Sequence, residues 1–204
     1  MIPFIGSFFL WLSLVFAASQ FFVCQKKILQ TRLIQIVVIG LLSCSLISFL
    51  SLIYSYVVSD FSVANVFQNS HTTKPLIYKI SASWGNHEGS MLLWITVLTI
   101  FNFFIFKLHN KKNLIFILKT LETQALIAFG FILFTVVTSN PFEKIFPIPH
   151  NGLGFNPILQ DPSLAIHPPL LYIGYVGFSA IFSFCIAVMT DKNEQKIPWY
   201  SYMK

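Results

Sequence analysis

The chain has 204 residues, of which 55% are hydrophobic and only 10% are charged. A soluble domain usually carries about 25% charged residues, so this composition excludes an ordinary water-soluble globule. The net charge is +6, but the cations are spread along the chain. No single basic face is indicated, which argues against a nucleic-acid partner.

Five long apolar segments contain most of the hydrophobic residues. They lie at about 2–24, 33–58, 89–106, 121–138 and 170–190. A helix needs about 20 apolar residues to cross the hydrocarbon layer of a membrane. In lipid the backbone must satisfy its own hydrogen bonds, which favours helices. We therefore predict an all-α, polytopic membrane protein with about five transmembrane helices.

The basic residues predict how these helices are oriented. Ten of the 13 follow the first, third and fifth segments: Lys26, Lys27, Arg32, Lys107, Lys111, Lys112, Lys119, Lys192, Lys196 and Lys204. The positive-inside rule makes this side cytoplasmic, or matrix in an organelle. The N-terminus is then outside, the C-terminus is inside, and the loops 59–88 and 139–169 are external. The first helix has no basic residues ahead of it, which is typical of a retained helix rather than a cleaved signal.

The second segment carries Gly40, Cys44 and Ser48 at four-residue spacing. Small residues at this spacing allow another helix to approach closely, so we predict a packing seam here. The chain's three cysteines lack CxxC spacing, and we interpret them as small buried hydrophobes.

A polar cluster, WGNHEGS beginning at Trp84, lies where the third helix meets the outer membrane boundary. Trp84 would lie at the interface, where indole rings are enriched. Glu88 would lie near the helix N-terminus, where the macrodipole favours an anion. Two interpretations stay open: the cluster is a cap and anchor for the helix, or His87 is a ligand or proton carrier.

The second external loop holds seven of the ten prolines together with many apolar side chains. This content favours a stiff apolar platform folded against the membrane surface over a disordered linker.

This loop ends in a lone histidine, His167, directly before two prolines. Proline disfavours a helical conformation in the residue before it, so we predict that His167 lies just outside the last helix. A neutral imidazole there is able to bind haem iron, and Tyr172, Tyr175 and Phe178 offer a wall for the macrocycle. The alternative is a hydrogen-bonded interface residue.

Three motifs resemble those of one protein family. They are WGNHEGSMLLW at 84–94, SNPF at 139–142, and NPILQDP followed by HPPLLYIGYVG within 156–177. In sequence and in order they are similar to the CcmF type of cytochrome c biogenesis protein. That protein is the haem lyase component of a cytochrome c maturation system, and the resemblance covers essentially the whole chain.

The resemblance implies a function and a site. Members of this family accept haem from a haem chaperone and join it to the thiols of apocytochrome c on the outer side. His167 is then one axial ligand of the haem b that is carried as substrate, with no catalytic residue assigned. Residues that would support this site are Trp84, His87, Glu88 and Tyr172. The resemblance also implies the bacterial inner membrane, or the mitochondrial inner membrane for an organelle-encoded chain.

Two departures from the family pattern limit the expected role. Asn86 stands where the family usually has glycine. The family's tryptophan-rich haem-binding segment and its second external histidine are absent from this sequence. We therefore expect the N-terminal part or subunit of a haem lyase, inactive alone. Its partners would be a C-terminal complement, a haem chaperone, apocytochrome c and membrane lipid.

Two further hypotheses remain. The first is a fragment of a transporter or channel that uses His87 and Glu88, which would need more polar residues deep in the helices. The second is a non-functional, truncated remnant that inserts in the membrane and binds nothing.

Overall fold

A computed structural model describes residues 1–26, 30–109, 114–154 and 160–190. Within these ranges the chain forms seven helices: α1 (Ile2–Gln25), α2 (Thr31–Val57), α3 (Ala64–Asn69), α4 (Leu76–Ala82), α5 (His87–Lys107), α6 (Leu114–Thr138) and α7 (Pro162–Thr190). The tail 191–204, predicted to be inside, and the part of the predicted platform at 155–159 lie outside the described residues.

Five of these helices, α1, α2, α5, α6 and α7, are long and apolar enough to cross a membrane. This finding confirms the prediction of an all-α, multi-pass membrane protein. The short helices α3 and α4 both lie in the first long loop, where the sequence pattern predicts no helix. They have six and seven residues, too few for hydrophobic periodicity to reveal them.

Helix α6 begins earlier than predicted. It starts at Leu114 instead of residue 121, so that Lys119 and Glu122 lie within the helix. The apolar run at 114–118 extends the helix, because a long lysine side chain can reach the membrane surface from inside it. The ammonium group of Lys119 reaches the end of α7, where it donates to Thr190 O.

Helix α7 also begins earlier, which makes the prediction for His167 wrong. The helix starts at Pro162 rather than residue 170, and His167 and the two prolines after it lie inside it. Asp161 precedes the first turn, and its Oδ1 accepts a hydrogen bond from Ser163 N at 2.7 Å. Interior prolines are tolerated in membrane helices when a neighbour satisfies the carbonyl groups that they free.

Helices α1 and α2 pack closely along the predicted small-residue seam. The ring of Phe16 in α1 covers Gly40, where an added Cβ would lie 2.4 Å from the ring. Further along the seam, Ser48 Oγ donates to Gly6 O at 3.0 Å. The seam is therefore confirmed as an interface between α1 and α2. Helix α5 contacts α2, α6 and α7 and is the most buried of the five spans.

A buried amide pair joins three of the spans. Gln20 of α1 and Asn102 of α5 each donate to the side-chain oxygen of the other, at 2.9 and 2.8 Å. Gln20 Nε2 also donates to Leu121 O of α6 at 3.0 Å. Both side chains are buried, so these bonds hold α1, α5 and α6 together where lipid offers no partner.

The two long loops, 58–86 and the described part of the second, 139–154, lie on one side of the bundle, which we call the loop side. They are joined by main-chain hydrogen bonds: Ala64 N donates to Glu143 O at 2.8 Å, and Ile145 N donates to Ser62 O at 3.0 Å. Further along the same loops, Leu153 N donates to Phe67 O at 2.8 Å. The loops therefore form one connected layer.

One buried side chain also anchors the described part of the predicted platform to the bundle. Phe142 is buried, and its ring lies against Gly6 of α1. Beyond it, Phe146 and Leu153 are 93% and 74% exposed. The apolar side chains of this segment therefore point mainly away from the bundle.

The substitution Asn102→Leu should destabilise the protein by about 1–3 kcal/mol, because it leaves the buried side-chain oxygen of Gln20 without its donor. The double variant Gln20→Leu/Asn102→Leu should be less destabilised than Asn102→Leu alone, since the two amides are removed together. Thermal unfolding in mild detergent measures both effects. Additive losses in the double variant would contradict the pairing.

Candidate functional site

The polar cluster WGNHEGS forms the start of α5, which begins at His87 rather than at residue 89. Asn86 is the N-cap residue, and its Oδ1 accepts from Gly89 N at 2.8 Å. Glu88 lies in the first turn, where the helix dipole favours a negative charge, as the sequence predicts. Gly89 lies against backbone, since an added Cβ would be 1.8 Å from Ser83 O. These contacts support the cap-and-anchor interpretation.

A hydrogen-bond network connects this helix start to α2 and α3. Tyr56 of α2 donates to Asn65 Oδ1 of α3. Asn65 Nδ2 in turn donates to Asn86 Oδ1 at 2.8 Å and to Glu88 Oε2 at 3.0 Å. Asn86 Nδ2 donates back to Tyr56 Oη at 3.0 Å. Asn86, the departure from the family pattern, is thus central to a network that fixes three helix ends.

His87 points to the end of α6 instead of into this network. Its Nε2 hydrogen-bonds with Ser139 Oγ at 3.0 Å. Its ring meets Phe134 edge-on, with the ring centroids 6.4 Å apart. These contacts give His87 a structural part at the junction of α5 and α6.

Trp84 lies in the turn between α4 and α5 and contacts two other helices. Its ring packs near Phe49 of α2, with the ring centroids 6.4 Å apart. Its Nε1–H donates to Ala165 O of α7 at 3.0 Å. The motif at 84–94 and the motif around His167, which are far apart in sequence, are therefore joined directly.

One face of α7 packs against the bundle. Ala165, Val176 and Ala187 are buried on this face. Tyr172 belongs to the same face, where its ring meets that of Trp94 edge-on at a centroid distance of 5.6 Å. This packing sets the rotation of α7 about its own axis.

The opposite face of α7 is open, and it carries His167. At 100° per residue, His167 lies about 160° around the helix from Ala165. Leu171, Gly174 and Phe178 follow His167 at helical spacing, and all four residues are exposed. An added Cβ at Gly174 would have no atom within 4 Å. We call these four residues the open stripe.

The structure separates two residues that the sequence analysis grouped. Tyr172 lies on the packed face of α7 and His167 lies on the open one, so Tyr172 cannot form a wall beside the imidazole. Phe178 does share the face of His167. Tyr172 supports the site by anchoring the helix instead of lining it.

The length of α7 places His167 near one membrane boundary. The segment from His167 to Thr190 is about 35 Å long at 1.5 Å per residue, and the hydrocarbon core is about 30 Å thick. Thr190 is close to the charged group of Lys119, which marks the far boundary. His167 therefore lies on the loop side, at the edge of the membrane.

Sequence reasoning missed one participant, the main-chain carbonyl of Ala165. Its side chain carries no chemistry, so no motif search would select it. The available signal was Pro169, whose missing N–H leaves the carbonyl four residues earlier without its helical partner. Within the described ranges, no three His, Cys, Asp or Glu side chains gather as a metal site. His167 is therefore considered as a single ligand.

These features define a polytopic helical membrane protein in which His167 lies at the loop-side membrane boundary, on a helix face that the described part of the bundle does not cover. A family model described as "Cytochrome C assembly protein" matches residues 84–204. The chain belongs to this family, and the resemblance to CcmF-type proteins of cytochrome c biogenesis is confirmed.

Curated relatives give the same result. The chain is 53% identical over 144 residues to the cytochrome c-type biogenesis protein CycK of Bradyrhizobium diazoefficiens, covering 71% of this chain and 22% of that protein. It is 44% identical over 141 residues to CcmF of Escherichia coli, covering 69% of this chain and 22% of that protein. The chain thus matches about a fifth of the length of these relatives.

A solved structure shares the fold. The cytochrome c haem lyase CcmF matches 98% of this chain and 32% of its own length, with a TM-score of 0.81 and 24% identity. The arrangement of helices described above is therefore that of one part of this larger protein.

The substitution Gly89→Ala should sharply reduce the amount of folded protein, because its Cβ would overlap the backbone oxygen of Ser83. Gly130→Ala is the matched control, since an added Cβ at this other membrane helix position meets nothing within 4 Å. Alanine there should be neutral or stabilising, by up to about 1 kcal/mol of helix propensity. Size-exclusion chromatography and thermal unfolding compare the two. Equal behaviour of both variants would contradict the close approach at Gly89.

Proposed function

We propose that this chain is the N-terminal part of a haem lyase for cytochrome c maturation, and that His167 binds the iron of the haem being transferred. The observation that carries this proposal is the position of His167. Its imidazole belongs to an anchored helix, lies at the membrane boundary, and is on a face with no neighbour in the described part of the chain. Neutral imidazole is a common axial ligand of haem iron.

The open stripe suits one side of a porphyrin. C-terminal to His167 along α7, the stripe offers the side chains of Leu171 and Phe178. Between them, Gly174 leaves room for a flat group to approach the helix backbone. An apolar surface beside the ligand is what a macrocycle needs, because the ring is apolar apart from its propionates. The residues present therefore fit one wall of a haem site.

The second wall and the second ligand would come from outside this chain. The curated relatives are several times longer than the part that it matches. A C-terminal complement is therefore the proposed partner for the open stripe, with a haem chaperone as donor and apocytochrome c as acceptor. This chain would contribute by positioning the haem, which can account for a large part of a rate acceleration.

The orientation of the chain belongs to the same proposal. The loop side carries Lys74, Lys79 and Lys144. Four other basic residues in the described part of the chain lie on the opposite side: Lys26, Arg32, Lys107 and Lys119. We place the loop side outside, in the periplasm or in the intermembrane space, and the proposed membrane is the bacterial or mitochondrial inner membrane. Haem b would then be bound on the side where apocytochrome c is matured.

The contacts of His87 and Glu88 favour haem handling over the transporter hypothesis. His87 bonds with Ser139, and Glu88 accepts from Asn65, so both groups hold helix ends. Deeper in the bundle, Gln20 and Asn102 bond with each other. Because these polar groups bond to one another between helices, none of them is left to line a path for a proton or solute, as the transporter hypothesis requires.

The substitution His167→Ala should reduce the haem content of the native assembly, purified in mild detergent, by about tenfold or more. The loss of a partner of a metal ligand already costs 10–100-fold, so the loss of the ligand should cost at least as much. His150→Ala is the matched control, because His150 is also an exposed histidine on the loop side. The absorbance spectrum of bound haem measures both variants. Unchanged haem content and spectrum in His167→Ala would refute the ligand assignment.

A cysteine at Leu153 should react with a membrane-impermeant thiol reagent added to intact cells, because this exposed loop residue is placed outside. A cysteine at Leu108, at the inner end of α5, should react only after the membrane is opened. The background should carry Cys185→Ser, since Cys185 is exposed, in contrast to Cys24 and Cys44, and the prediction of a buried cysteine is wrong at this position. The reverse labelling pattern would overturn the orientation and, with it, the outer-face role.

A further inference from the structure

We propose that Trp84 is a positioning residue for His167, and that it acts by donating its indole N–H to the carbonyl that Pro169 leaves free. This inference rests on the proposed function for its haem readout. It goes beyond that function because it assigns a specific task to a residue that touches neither the imidazole nor the open stripe.

The carbonyl group of Ala165 lacks its usual hydrogen-bond donor within α7. In a regular helix this oxygen would accept the N–H of residue 169, but proline has none. Ala165 is only 5% exposed, so water cannot replace the missing donor. An unpaired buried carbonyl at a membrane boundary is costly.

The indole N–H of Trp84 supplies the missing donor. The indole group offers a single N–H donor and no acceptor. In the structure this donor reaches Ala165 O at 3.0 Å. The indole ring is itself held near Phe49 of α2, so the donor comes from a fixed point of the bundle.

The hydrogen bond from Trp84 also affects His167. Ala165 and His167 are two residues apart and lie on opposite faces of α7. A bond that holds Ala165 O against the bundle therefore turns the imidazole outward. Tyr172, two turns further along, holds the same face against Trp94. The bond from Trp84 and the packing of Tyr172 together fix the rotation of the segment that carries His167.

A double-mutant cycle tests this inference. Trp84→Phe keeps an aromatic ring but removes the N–H, and it should weaken haem binding by about tenfold, which corresponds to one lost buried hydrogen bond. Pro169→Ala supplies a main-chain N–H four residues after Ala165. In that background, Trp84→Phe should therefore have little effect, about threefold or less.

The neighbouring proline provides the matched control. Pro168→Ala also restores an N–H, but to the carbonyl of residue 164, so it should not rescue Trp84→Phe. Haem absorbance and haem dissociation are measured on the native assembly in mild detergent, and thermal unfolding is measured on the same samples. Rescue by Pro169→Ala and not by Pro168→Ala supports the inference.

Three results have distinct meanings. Trp84→Phe could weaken haem binding equally with and without Pro169→Ala, or it could leave haem binding unchanged in both backgrounds. In either case Trp84 is only an interfacial anchor and the inference is overturned. If His167→Ala leaves haem unchanged while the Trp84–Pro169 coupling appears in thermal unfolding, the proposed ligand role fails and the hydrogen bond stands as a structural one. If the coupling is absent but His167→Ala loses haem, the inference alone fails.

Discussion

The structure depends on one constraint: polar groups buried in a membrane bundle must find their partners within the protein. Three features described above are solutions to it. Gln20 and Asn102 pair across α1 and α5, Asn86 caps the start of α5 while it donates to Tyr56 of α2, and Trp84 donates to the carbonyl of Ala165 in α7. Each solution crosses between helices, so each also fixes how the helices are arranged. The residues that satisfy the backbone are therefore the ones that determine the position of the candidate site.

The sequence was sufficient for features that depend on local composition. Segment hydropathy predicted the five spans, and the spacing of Gly40 and Ser48 predicted a packing seam on α2, although not that α1 would be the helix packed there. The first-turn position of Glu88 followed from the helix dipole. All of these depend on residues close together in the chain, where periodicity and charge carry the information.

The start of α7 could not be predicted in this way, because the deciding partner is remote. The rule for residues before proline describes an isolated chain. Here Trp84, which lies 81 residues earlier, donates a hydrogen bond to Ala165 O. This bond replaces the helical one that Pro169 cannot make, so the helix tolerates the proline. The same limit applies to Tyr172, which is close to His167 in sequence but lies on the other face of α7. Which face of a membrane helix is packed is decided by its neighbours.

The connection between the two long loops has a consequence for how such proteins vary. The bonds from Ala64 to Glu143 and from Ile145 to Ser62 are made entirely by main-chain atoms. Almost any side chain can stand at such positions, since no side-chain atom takes part. An insertion or deletion between them, however, would shift the register of the whole layer. These main-chain bonds thus leave the residue type at their own four positions free, whereas they restrict the length of the loop between them.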